Sequence, residues 1–87
     1  MIAAGKEEIR QWFLNGLEEK YKYMIIVFDM MDTDDPDCPY YSFDEDNARR
    51  IIREFNDDPM CKVMEVYDLT ADMESQLSEK RAWNLPE

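Results

Sequence analysis

Apolar side chains recur along this chain with two different periods, and the period changes at identifiable residues. Ile9, Trp12, Phe13, Gly16, Leu17 and Tyr21 fall three and four apart, which places them on one side of a helix over 6–22. Glu7, Glu8, Arg10, Gln11, Glu18 and Glu19 take the other side, and Leu14 lies off the stripe. Gly16 costs the helix about 1 kcal/mol relative to alanine, a cost that close approach to a strand would explain. Met24 to Phe28 is an unbroken apolar run, which leaves neither face of a strand to water and predicts a buried strand over 23–31. Asp32 to Pro39, with two prolines and four aspartates, reads as a turn. Tyr40 to Phe43 is then a short second strand, antiparallel to the first.

Ser42 and Glu45 have the spacing of a capping box, and Ala48, Ile51, Ile52 and Phe55 behind them give the stripe of a second helix. Asp44, Glu45 and Asp46 stand at its positive end, and Asn56 to Pro59 stop it. Met60 to Leu69 reads as a third strand, with Cys61, Val63, Tyr67 and Leu69 on one side. Thr70 or Asp72 starts a last helix through Ala82, with Met73 and Leu77 facing inward. The order is α-β-β-α-β-α, an α+β fold in one domain spanning 1–87. A right-handed crossover makes the third strand parallel to the second. The most apolar strand belongs in the middle, so the sheet order is 2-1-3, packed in two layers as a split β-α-β. The thin apolar face of the last helix leaves sheet uncovered. A homodimer through that face or an edge strand is therefore expected.

Charge changes the picture. The formal net charge is −11, and it is uneven. Residues 1–22 are net zero, whereas 23–48 carry Asp29, Asp32, Asp34, Asp35, Asp37, Asp44, Glu45 and Asp46 with no Lys or Arg. Such a surface repels nucleic acid and anionic membrane and steers basic partners. Two cysteines, Cys38 and Cys61, are too few for a disulfide scaffold. The start lacks a signal-peptide pattern, and no apolar run approaches a membrane span. A cytoplasmic protein with reduced thiols is expected.

The chain has no histidine, which removes the commonest general base and metal ligand. VFDMMDT is similar to the DxDx(T/V) motif of haloacid dehalogenase phosphatases, but the gap between Asp29 and Asp32 is one residue too long. Counting a calcium loop from Asp32 puts Asp37 where glycine is needed and Phe43 where a bidentate Glu is needed. Two thiols without histidine do not make a zinc site. Paired carboxylates could serve a glycosidase, but a three-stranded domain of this size offers little room for its cleft. No catalytic residue, metal ligand or cofactor is assigned.

KYMIIVFD, the Asp-rich turn with Pro and Tyr, and KVMEVYDL with QLSEKRAWN resemble small uncharacterised acidic proteins encoded by bacteriophages, over roughly residues 22–84. The resemblance implies a protein made to bind and disable a host protein, as anti-restriction and anti-CRISPR proteins do. Together with the charge it gives the functional expectation: a non-enzymatic inhibitor, mimicking a polyanion, that binds a basic surface on a host nucleic-acid-processing protein. The expected contact residues are Asp32, Asp34, Asp35, Asp37, Tyr40, Tyr41, Asp44, Glu45 and Asp46, tyrosine being enriched at interfaces. The alternative is a self-associating structural module whose acidic face only keeps it soluble.

Overall fold

A computed structural model describes residues 5–31 and 37–85. In chain order they form α1 (Lys6–Glu18), β1 (Tyr23–Asp29), β2 (Asp37–Ser42), α2 (Glu45–Asn56), β3 (Cys61–Asp68) and α3 (Met73–Leu77). The sheet order is β2-β1-β3, with β1 antiparallel to both neighbours, so β2 and β3 run parallel as a split β-α-β requires.

β1 is buried on both faces because its side chains alternate between two cores. Met24 and Ile26 meet Ile9 and Phe13 of α1 and Leu77 of α3, whereas Tyr23, Ile25 and Val27 meet Ala48 and Ile52 of α2. Helices thus cover both sides of the sheet, which corrects the two-layer arrangement to three. Five consecutive apolar residues need two covers, and α1 and α2 lie on opposite faces to supply them.

Local chemistry sets the boundaries. α1 stops at Glu18 rather than Lys22, because Lys20 adopts a left-handed φ of 64° and closes the helix. Its N–H donates to the Leu17 carbonyl, and the Tyr21 N–H to that of Gly16, each at 3.0 Å. A Cβ on Gly16 would fall 2.6 Å from the Tyr41 ring of β2 and 2.8 Å from Leu69, so the glycine permits the expected close approach. Leu17, expected inward, is exposed. Pro39, expected in the turn, lies in β2 opposite Ile26. The strand tolerates it as an edge: Ser42 accepts from the Lys22 N–H at 2.8 Å, so Cys38 and Tyr40 turn their backbone to β1 and Pro39 faces outward.

The expected capping box is displaced by two residues. Asp44 is the N-cap of α2, accepting from the Asn47 N–H at 2.7 Å, while Ser42 is buried at the end of β2 with its hydroxyl bonded to the Asp44 carbonyl. β3 does not keep one side inward throughout. Its register slips between Ile26 and Val27 of β1, so Cys61, Val63 and Val66 face α2 and Tyr67 and Leu69 face α1. One extra residue in the strand exchanges the faces.

The last helix ends at Leu77, not Ala82, since 78–81 supply no apolar side chain to extend its stripe. The chain then runs beside β3. The Val66 N–H donates to the Ala82 carbonyl and the Asn84 N–H to that of Val66, both at 2.9 Å. Ala82 enters one core and Leu85 the other. Side chains satisfy further backbone groups of this edge. Buried Gln76 accepts from the Asp68 N–H and donates to its carbonyl, each at 2.8 Å, and Arg81 donates to the Met64 and Val63 carbonyls. The face and the edge strands on which the homodimer expectation rested are therefore covered on the β3 side and interrupted by Pro39 on the other.

Candidate protein-interaction surface

Among the described residues the acidic stretch does not form one patch. β2 separates Asp37 from Asp44 to Asp46, and its length puts Asp37 and Ser42 about 17 Å apart. That exceeds the roughly 10 Å over which exposed charges interact in 0.1 M salt. Asp32, Asp34 and Asp35 lie outside the described residues.

At the α2 end, most of the carboxylate capacity is occupied by the helix. Asp44 caps it, and Glu45 accepts from Arg49 at 2.7 Å. Asp46 is exposed and its carboxylate makes no hydrogen bond or ion pair within the described residues. The two tyrosines point to opposite faces of the sheet. Tyr40 packs its ring on Phe55 with centroids 4.7 Å apart, whereas Tyr41 stacks on Tyr21 at 5.1 Å and donates its hydroxyl to the Trp12 carbonyl at 2.7 Å. Burial raises the pKa of both hydroxyls. Tyr40 is exposed enough for contact; Tyr41 is held by α1.

The other end of the sheet has a different character. Beyond β1, Met30 donates its N–H to the Met60 carbonyl at 2.8 Å, which extends the pairing with the start of β3. The Asp29 carboxylate accepts from the Met31 N–H, and that of Asp58 from the Met60 N–H, both at 2.9 Å. These two acids fix the turns that present the methionines. Met30, Met31 and Met60 are 49%, 73% and 41% exposed, with Asp37 half-buried opposite Phe28 on the adjacent strand. A group of exposed thioethers among fixed carboxylates is an apolar contact surface inside a negative field, and methionine adapts its shape to a partner.

The same end holds both cysteines, on strands flanking β1. Two strand spacings, about 10 Å, are too far for a disulfide, and neither cysteine forms one. Burial pushes the Cys61 thiol up, as do the charges of Asp58 and Asp29, and it points at Asp58 with Sγ 3.6 Å from the carboxylate. A thiol kept protonated is a poor nucleophile. Among the described residues no group of three His, Cys, Asp or Glu side chains is arranged to hold a metal ion. No described helix is long and apolar enough to cross a membrane.

The methionines and Asp58 were absent from the expected contact set. Their signal is topological: once the third strand is antiparallel to the first, Met60 must lie beside Met30. Comparison with protein-family models, with curated proteins and with solved structures finds no match to this chain.

Proposed function

We propose that this protein is a non-enzymatic binding module that docks, through the loop end of its sheet, onto a basic surface of another protein and blocks it. The observation that carries this reading is the set of exposed methionines held by Asp29 and Asp58 in a chain of net charge −11. Carboxylates alone keep a surface wet, whereas carboxylates around an apolar centre suit a partner that is both basic and apolar. A nucleic-acid-processing protein fits, because its phosphate-binding face is basic and the aspartates occupy the place of phosphates. Occlusion of that face is inhibition, the role that the resemblance to acidic phage proteins implies.

The two parts of the surface separate kinetically. Replacing Asp32, Asp34, Asp35 and Asp37 together by Asn slows association and flattens its salt dependence, because steering is long-range. Replacing Met30, Met31 and Met60 by Ser speeds dissociation, because the apolar contacts form only in the complex. Stopped-flow binding to a basic partner protein measures both. A fold-intact methionine variant with wild-type dissociation removes the loop-end surface from the account, and unchanged association of the Asn variant removes the steering.

A further inference from the structure

The outward side of α2 has no role in the fold, yet it is patterned. Arg50 and Arg53 are exposed and their side chains make no ion pair or hydrogen bond within the described residues, and the same holds for the Asp46 side chain. Asp46 and Arg53 are seven residues apart, two turns, so they share one face about 10.5 Å from each other. Aromatic side chains stand at both ends of this ridge: Phe43 is 64% and Trp83 40% exposed. Two shallow depressions follow it, one of about 720 Å³ reaching from Phe43 to Arg53, the other of about 430 Å³ from Arg49 to Trp83.

We infer that this ridge is a twofold interface for a second copy of the chain, with the two α2 helices antiparallel. An axis between Arg49 and Arg50 sets Asp46 against Arg53 of the second copy, and Arg53 against its Asp46. The same rotation brings each Phe43 to the end of α2 where the other Trp83 stands. A twofold contact must be self-complementary, and this face carries opposite charges at equal distances from its centre. Glu45 already neutralises Arg49 on each copy, which leaves Arg50 as the one like-charged contact near the axis. Repulsion between two chains of charge −11 acts at longer range and is screened beyond about 8 Å at physiological salt. An unrelated acidic protein would match the arginines but would leave Asp46 facing a like charge.

Sedimentation equilibrium at physiological salt and high micromolar protein tests this on the whole chain. The wild type dimerises, and Asp46→Lys or Arg53→Glu alone weakens the dimer about tenfold, since each turns two attractive contacts repulsive. The double variant Asp46→Lys, Arg53→Glu recovers it, because the pairs are restored with the signs exchanged. Thermal melting checks that each variant is folded. If a reversal unfolds the chain, Asp46→Asn and Arg53→Gln replace it; each weakens the dimer and their combination does not recover it. A monomeric wild type, single variants that dimerise normally, or a double reversal no better than the singles overturns the interface.

Discussion

Gln76→Glu is nearly isosteric and tests how the outer edge of β3 is closed. The Gln76 side chain is 3% exposed and makes three hydrogen bonds. Its oxygen accepts from the Asp68 N–H at 2.8 Å, and its nitrogen donates to the Asp68 and Asp72 carbonyls at 2.8 and 3.0 Å. It thereby pairs with Asp68 as a residue of a further strand would. A carboxylate keeps the acceptor and loses both donors. Two neutral hydrogen bonds are worth about 1 kcal/mol each, and an anion placed against two carbonyls adds at least about another, so the expected loss is about 3 kcal/mol at pH 7. That is a large fraction of the 5–15 kcal/mol typical of a domain's stability. The loss must also depend on pH. Facing carbonyls and two nearby aspartates, the introduced carboxyl has a folded pKa above its unfolded value of about 4.3. Its protonated form regains one donor, so the deficit against wild type is smallest below about pH 4.3 and grows as the pH rises through the folded value. Urea unfolding of both proteins at pH 4 and pH 7 measures this. A variant within about 0.5 kcal/mol of wild type at both would refute the edge closure.

Other consequences are as direct. Gly16→Ala gains about 1 kcal/mol of helix propensity but must displace the Tyr41 ring, which is fixed by its bond to Trp12. Overpacking of this kind costs about 1–3 kcal/mol, so urea unfolding should show net destabilisation, and a stabilised variant would mean that α1 sits farther from β2. Lys20→Gly relieves a left-handed backbone at the end of α1 and should stabilise by up to about 1 kcal/mol, with a raised denaturation midpoint as the readout. Burial and the Glu65 carboxylate push the Tyr67 hydroxyl far above the ordinary tyrosine range, and burial also raises Tyr23, Tyr40 and Tyr41. Because these folded values exceed the unfolded one, their contribution is complete below about pH 10 and is lost as the pH rises through the folded values. Unfolding at alkaline pH, followed by tyrosinate absorbance, should be less steep in Tyr67→Phe.

The sheet order was legible because Met24 to Phe28 can be buried on both faces only in the middle strand. The boundaries were not, each for a local reason. No glycine marks the end of α1; Lys20 takes the left-handed position instead, so periodicity alone carried the helix to Lys22. Ser42 and Asp44 are both competent caps, and burial of Ser42 at the strand end decides between them. The register slip in β3 did leave a trace: Glu65 interrupts the otherwise apolar row Cys61, Val63, Tyr67, Leu69. A charge in an inward row signals a change of face. The loop-end surface was half legible. Asp29 and Asp37 belong to the acidic stretch, but Met60 is about thirty residues further along and joins Met30 only through the antiparallel register. Asp44 and Glu45 read as contact residues until the helix start is seen to use them as its cap and as the partner of Arg49.

Residue-resolved amide shift mapping tests the loop-end claim most directly. The nitrogen-labelled protein is titrated with a helical peptide that has one face of Lys and one of Leu, as a model of a basic, apolar partner surface. The largest shifts are expected at Asp29 to Met31, Asp37 to Cys38 and Asp58 to Cys61, and they should vanish when Met30, Met31 and Met60 are replaced by Ser. Shifts centred on Asp44 to Asp46, or none at all, would contradict the loop-end claim.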